Sequence, residues 1–296
     1  MDSTEQIYAQ VREHYSSASR TAAPKYGESV AKSFGYSEDE LSNIPEDANL
    51  GLSCGNPLAI TSLKEGETVI DLGSGAGFDI FLASTKIGSS GRAIGVDIND
   101  EMLARAEKIK ASRGSSVSNV TFIKGNITSV PLPDVTADLI ISNCVINLVP
   151  YEEKNLVFKE MYRLLKPGGR VAVSDILAKK PLPDQLRKDV AMYVGCIAGA
   201  AEVADYQNWF REAGFKDSVI TDTQADLNVY LDTNEDGTKK SGDCCGPVAA
   251  VSACDGGDEA KKATPSCSSA TTDSSDMGRT NLNEFVGSYK IFAVKD

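Results

Sequence analysis

The chain has 296 residues, 41% of them hydrophobic, and a formal net charge of −12. That length and apolar content allow one large domain or a domain with appendages. The acidic balance argues against nucleic acid, whose phosphates need basic patches, and against anionic membrane surfaces.

From the N-terminus, Met1-Asp-Ser-Thr-Glu-Gln6 is polar and acidic, which excludes a secretory signal at this end. No apolar run approaches the about 20 residues that cross a bilayer. Residues 4–18 read as a helix with Ser3 as N-cap, and Ile7, Val11 and Tyr15 recur on one face. Tyr8 and Tyr15 are aromatic cover for a ligand or, more simply, helix packing. His14 is the single His and reads as a surface residue, which leaves zinc sites and Ser-His-Asp chemistry without histidines. Residues 27–34 give a short helix. Residues 35–56 are polar and rich in turn formers, so they read as loop, with Cys54 inside it.

Residues 57–62 are helical, and regular alternation follows. It comprises strand 68–72, helix 78–87, strand 92–97, helix 100–113, strands 119–124 and 137–142, and helix 151–165. Lys166-Pro-Gly-Gly169 ends that helix before strand 170–175. This predicts an α/β fold, a doubly wound, mostly parallel Rossmann-like sheet with helices on both faces. Residues 184–200, apolar but loosened by Gly195 and Gly199, read as a helix that carries Cys196 over the pocket. Helix 203–213 and strands 217–222 and 288–294 complete a smaller C-terminal α+β cap region. Residues 232–283 are rich in Gly, Ser, Thr, Asp and Lys. They cannot bury enough surface to offset chain entropy and read as a disordered insertion. The chain thus divides into an N-terminal helix and cysteine loop (1–56), the core (57–180) and the C-terminal region (181–296).

The chain is organised around Val69-Ile-Asp-Leu-Gly-Ser-Gly-Ala-Gly-Phe-Asp79, an apolar strand running into a glycine turn and a helix. Gly73, Gly75 and Gly77 let the backbone turn tightly near a ligand, and the helix N-terminus offers free N–H groups. The next strand ends in Asp97, where an acid meets ribose hydroxyls in a βαβ unit. The spacing is not Gly-x-Gly-x-x-Gly, because Phe78 stands where the last glycine belongs, and no Gly-Lys-Ser/Thr is present. Asp71 before the turn repels a pyrophosphate and suits a cationic ligand. Asp-Leu-Gly-x-Gly-x-Gly followed by Gly-x-Asp closely resembles the cofactor site of class I methyltransferases, which use S-adenosylmethionine. The resemblance implies a methyltransferase sheet.

There are seven Cys, an odd number. Without a secretory signal they read as free thiols in a reducing, cytoplasmic compartment. Cys244, Cys245, Cys254 and Cys267 lie in the insertion, and Cys54, Cys144 and Cys196 in ordered sequence. Cys144 directly follows a strand at the ligand-binding rim. A free Cys alone is commonly a small buried hydrophobe. That reading is weak for Cys54 among Gly, Ser and Asn, and stays open for Cys196.

Asn49-Leu-Gly-Leu-Ser-Cys-Gly-Asn-Pro57, Ser142-Asn-Cys-Val-Ile-Asn-Leu148 and Tyr193-Val-Gly-Cys-Ile-Ala-Gly-Ala200 resemble the three cysteine motifs of arsenite methyltransferases. The resemblance covers about residues 4–231 and 285–296. It implies that Cys54, Cys144 and Cys196 bind arsenic(III) as thiolates and carry the catalysis. It also implies that Asp71, Gly73, Asp97, Met102, Asn126 and Ile127 contact S-adenosylmethionine, with Tyr8 beside them. Ser74, Gly75, Gly77, Ile98 and Asn143 complete the expected cofactor contacts. Arsenic(III) is soft and suits thiolates, and its lone pair needs no general base, which fits a chain with one His. Expected substrates are arsenite and methylarsenite, the expected reductant an external thiol such as glutathione or thioredoxin, and the expected state a monomer. Family members often carry a fourth Cys after the first helix, and Tyr15-Ser-Ser-Ala-Ser-Arg-Thr-Ala-Ala-Pro24 has none. Electrons then come from external thiols or two of the three core cysteines, and Cys244-Cys245 is either an arsenic-delivering pair or incidental. Two other readings stay open: a methyltransferase of another small molecule, and a thiol-rich protein that sequesters metalloids.

Overall fold

The computed structural model describes residues 4–20, 24–183, 196–228 and 281–296. Three helices come first: α1 (Thr4–Arg20), α2 (Pro24–Ser33) and α3 (Glu38–Asn43). The third lies in a stretch whose polarity reads as loop. Its signal is a capping box: the Ser37 side chain accepts from Glu40 N–H while the Glu40 carboxylate accepts from Ser37 N–H. Two otherwise orphaned donors are satisfied reciprocally, which is enough to start a helix with no buried face. A short 3-10 turn, Pro57–Ile60, leads into the sheet.

The alternating part follows the sequence closely. It comprises β1 (Thr68–Leu72), α4 (Phe78–Ile87), β2 (Arg92–Asp97), α5 (Asp100–Arg113), β3 (Val120–Lys124), β4 (Ala137–Asn143), α6 (Lys154–Leu164) and β5 (Leu165–Ala178). After these come α7 (Val203–Ala213), β6 (Ser218–Asp222) and β7 (Val286–Val294). The seven strands form one sheet in the order β3-β2-β1-β4-β5-β7-β6. The pairs β1–β2, β1–β4, β2–β3 and β4–β5 are parallel, and β7 runs antiparallel between β5 and β6. Every residue of β1 is buried, as a central strand covered on both faces requires. On one face Ile70, Leu72 and Ile140 pack with Phe158 and Met161 of α6 and Tyr206 and Phe210 of α7. On the other, Val69, Leu139 and Ile141 pack with Ile80 and Phe81 of α4 and Met102 and Ile109 of α5. The predicted α/β sheet with helices on both faces is the observed one.

Two boundaries differ from the sequence reading. Lys166-Pro-Gly-Gly169 does not separate a helix from a strand, because β5 already begins at Leu165. Leu165 pairs with Ala137 and Arg170 with Leu139, so the intervening residues bulge out of the ladder. They are held by the chain end: Gly168 N–H donates to Lys295 O at 2.7 Å, and Lys295 N–H donates to Gly169 O at 2.9 Å. The stretch read as a disordered insertion also ends sooner than position 283. Residues 232–280 lie outside the described residues, but Leu282–Glu284 form a 3-10 turn with Leu282 fully buried. Asn283 ties it down, accepting from Leu227 N–H at 2.8 Å and donating to Asp226 at 2.7 Å. Of the helix expected over 184–200, residues 184–195 lie outside the described residues, and 196–200 form turns rather than helix.

The strand order reverses between β1 and β4, so a crevice opens beyond their carboxyl ends. The glycine turn after β1 and Cys144 after β4 meet there. Leu282→Ala is expected to cost about 2–5 kcal/mol in urea-induced unfolding, as for other buried leucines. A loss within surface-substitution range would contradict a packed chain at this point.

Candidate active site

The turn after β1 places backbone where a side chain does not fit. Gly73 has φ +79°, and a Cβ there would overlap Val145. Gly73 and Ser74 N–H both donate to Val96 O, at 2.8 and 3.0 Å, which locks the turn against β2. A cavity opens above it. Its walls include Tyr8, Asp71, Gly73, Ser74, Gly75, Asp97, Ile98, Met102, Asn126, Ile127 and Asn143. Cys144 lines the same cavity. Gly77 is the exception among the expected contacts. It does not line the cavity, and a Cβ on it would meet Phe81 and Phe122 at 2.7 and 2.8 Å. Its role is close packing of helix on sheet.

The floor of this cavity is lined by acids. Asp71 is buried, and its carboxylate accepts no hydrogen bond among the described residues. Burial pushes its carboxyl well above the usual range, and the charges of Asp79 and Asp97 push it further. Asp97, which lines the cavity, accepts from Gly75 N–H and Asn99 N–H, both at 2.8 Å. Asp79 accepts from Tyr36 Oη at 2.6 Å and from Asn143 Nδ2 at 2.9 Å, and burial raises it to about 6. Ser74 Oγ is buried without a partner among the described residues. Buried acids and an orphaned hydroxyl in one cavity suit a ligand with a positive charge and several hydrogen-bonding groups. S-adenosylmethionine has both, with an ammonium, a sulfonium and ribose hydroxyls. The lid is α1. Tyr8 donates to Glu153 at 2.7 Å, and Asn99 Nδ2 donates to Arg12 O at 3.0 Å. Burial raises the Tyr8 phenol to about 12.

The three cysteines converge beside this cavity. Their sulfurs all lie within 4.8 Å of one another, and all three residues are buried. They belong to an apolar cluster with Val11, Phe34, Leu148, Ile176, Leu282 and Val286. Cys54 is held at both ends of its peptide: its N–H donates to Asn143 Oδ1 at 3.1 Å, and its carbonyl accepts from Ser288 Oγ at 2.7 Å. Cys144 has φ +59° and Cys196 φ +64°. Non-glycine residues adopt that region rarely, and functional sites are where it recurs. Cys54 and Cys144 have Cα atoms 5.6 Å apart, within reach of a disulfide, and Cys196 is free. Sulfurs brought this close to bind one atom are also close enough to bind each other. Burial and the Asp175 charge push the Cys196 thiol well up, while Lys154 and a hydrogen bond from Tyr15 oppose them. The four cysteines at 244, 245, 254 and 267 lie outside the described residues.

Asp79, Tyr36 and Ser53 were not legible as site residues. Asp79 closes the glycine stretch at the start of α4, and that position was its only signal. His14 is exposed, as expected.

Comparison with known proteins bears on the family and the fold. The family described as methyltransferase domain matches residues 63–214. An arsenite methyltransferase of Halobacterium salinarum is 45% identical over 215 residues, 69% of this chain and 54% of that protein. One from Aquipseudomonas alcaligenes is 39% identical over 186 residues, 61% of this chain and 52% of its own length. The chain therefore spans about half the length of these curated relatives. Among solved structures, an arsenic (III) S-adenosylmethionine methyltransferase from Chlamydomonas reinhardtii is similar at 25% identity with TM-score 0.57. The match covers 90% of this chain and 73% of that one.

The uncompensated acid yields a test. The Asp71 carboxyl holds its proton more tightly folded than unfolded. Stability is therefore lost as pH rises from the unfolded value of about 4 through the folded one. Asp71→Asn is expected to raise the ligand-free Tm at pH 7.5 by about 2–4 °C, the equivalent of roughly 1 kcal/mol. The gap between the two proteins should close toward pH 4. A variant less stable at every pH would contradict the assignment.

Proposed function

The chain belongs to the methyltransferase-domain family, and we propose that it methylates trivalent arsenic held by cysteine thiolates. The observation that carries this reading is the placement of three buried sulfurs within 4.8 Å of one another beside an acid-floored cavity. Soft sulfur ligands at that spacing suit arsenic(III). A protein that only sequestered metalloids would have no use for the adjoining cavity.

Bound in that cavity, S-adenosylmethionine supplies an electrophilic methyl group on a sulfonium. Asp97 would receive its ribose hydroxyls and Asp71 its positive end. Ile98, Met102, Asn126, Ile127 and Tyr8, which line the cavity, would hold the rest of it. Gly73, Ser74 and Gly75 would bring backbone close enough to fix its orientation.

Arsenite enters as As(OH)3. Three As–S bonds form as three As–O bonds break, and each thiol proton leaves on a hydroxide as water. Arsenic keeps a lone pair, so no residue has to remove a proton from the nucleophile. The protein contributes position, and positioning two reactants supplies several kcal/mol of a barrier. The apolar surroundings of the thiols keep water away from the attack. As the As–C bond forms, the methyl–sulfur bond of the sulfonium breaks, its electron pair stays on the departing S-adenosylhomocysteine sulfur, and arsenic passes from the trivalent to the pentavalent state. Two cysteine sulfurs return two electrons by closing a disulfide; the 5.6 Å Cα separation of Cys54 and Cys144 supports that pair. An external thiol such as glutathione or thioredoxin then reopens the bond, becoming oxidised in turn. This cycle belongs in a reducing, cytoplasmic compartment. Repeating it on methylarsenite gives a dimethylated product. A monomer contains every residue the cycle uses. No described helix is long and apolar enough to cross a membrane.

Methyl transfer from labelled S-adenosylmethionine to arsenite tests this directly. With excess thiol, the wild type should yield methylated arsenic and Cys144→Ser less than about a hundredth as much, a barrier rise near 3 kcal/mol. Without reductant, turnover should stop after about one equivalent or never start. A folded wild type that binds the methyl donor but methylates no arsenic would overturn the proposal.

A further inference from the structure

Asn147 stands in the same short motif as Cys144 and lies fully buried outside the cofactor cavity. Its Nδ2 faces three acceptors: Asp175 Oδ1 at 2.8 Å, Ile176 O at 2.6 Å and Cys196 O at 3.2 Å. An amide nitrogen has two N–H bonds, so three acceptors share them. Asp175 is itself pinned, accepting from Ile176 N–H at 2.9 Å and from Tyr206 Oη at 2.8 Å. Lys154, also buried, donates to Ile146 O at 2.7 Å, one residue before Asn147. Burial is costly for every member of this cluster, yet it sits under the turn that carries Cys144.

What the cluster reaches is the backbone of Cys196. That residue holds φ +64°, a conformation that persists only where surrounding contacts impose it. Its thiol donates to Cys144 O at 2.6 Å. The chain beyond it is tied to β5 by Ala178 N–H donating to Ala201 O at 2.9 Å. Between these two anchors, the Asn147 amide donates to the Cys196 carbonyl, the side-chain hydrogen bond to that peptide found among the described residues. It links the Cys144 turn to the Cys196 turn through the Cys196 carbonyl.

We infer that Asn147, held in place by Asp175, positions Cys196 as the third sulfur ligand of arsenic. This rests on the arsenic reading proposed above and deepens it. Asn147 acts through Cys196 and is a positioning residue. Without it the Cys196 peptide is free to leave its left-handed conformation and carry the sulfur away. Cys54 and Cys144, anchored independently by Asn143, Ser288 and Ser174, still bind. Arsenic then keeps one of its hydroxyls: two As–S bonds form, two As–O bonds break, and two waters leave.

The experiment uses the reduced full chain with sodium arsenite and reads the number of sulfur neighbours by arsenic-edge X-ray absorption. KM for arsenite and for S-adenosylmethionine are measured alongside. The wild type should show three As–S contacts. Asn147→Ala should show two As–S and one As–O, with KM for arsenite up by about tenfold or more, as when the support of a ligand is removed. KM for S-adenosylmethionine should stay within about twofold. Asp175→Asn keeps an acceptor oxygen for Asn147 and tests the same link should Asn147→Ala not fold. It should move the same two readouts in the same direction by less. Three sulfurs and an unchanged arsenite KM in a variant that binds the methyl donor normally would overturn the inference. So would a parallel loss of both affinities, which marks general damage. Fewer than three sulfurs in the wild type would instead overturn the tri-thiolate reading itself.

Discussion

The amide of Asn143 joins the two halves of the site. Its Nδ2 lies within 3.0 Å of Tyr36 Oη, Ser53 Oγ, Gly55 O and Asp79 Oδ2, and its Oδ1 accepts the Cys54 N–H. One side chain at the end of β4, next to Cys144 in sequence, thus touches both the cavity floor and the cysteine loop. The loop bearing Cys54 has no regular structure of its own. Its position comes from this amide and from Ser288 on β7, 234 residues away in sequence. A buried network of this kind specifies one arrangement because each unpaired member is costly.

Electrostatics divides the site into two environments. The cavity floor gathers Asp71, Asp79 and Asp97, all raised by burial. The cysteines occupy an apolar cluster instead. In the proposed reaction a positive charge leaves the acid-lined side for a centre bound by sulfur. The acids stabilise the donor before transfer, and the dry thiol cluster keeps water from competing for the methyl group. The strand reversal between β1 and β4 makes these environments neighbours, since the glycine turn ends one strand and Cys144 follows the other.

Much of this was legible in the residues. The alternating apolar segments placed β1, α4, β2 and α5 at their observed bounds, because a buried parallel strand must be continuously apolar and each helix has a clear start and stop. The glycine turn, both acids and three cysteines were also visible, since each is a residue type whose chemistry is specific. The contacts between distant segments were not. Ser288 and Tyr36 are ordinary core residues in sequence, and only the fold brings them to the Cys54 loop. The helix α3 was hidden for a different reason: it buries no face, so periodicity was silent and only Ser37-Glu-Asp-Glu40 marked it. Gly77 stands apart from the other glycines of the turn. It matched a ligand-binding pattern, yet its missing side chain makes room for Phe81 and Phe122.

The central claim is that Cys54, Cys144 and Cys196 act together as one ligand set. It is tested most directly by alkylating the reduced protein with iodoacetamide, with and without arsenite, and mapping the modified cysteines by mass spectrometry. Under conditions that unfold the free protein enough to expose its thiols, arsenite should protect these three in parallel and leave Cys254 and Cys267 reactive. Protection confined to other cysteines, or loss of protection at only one of the three, would contradict the account.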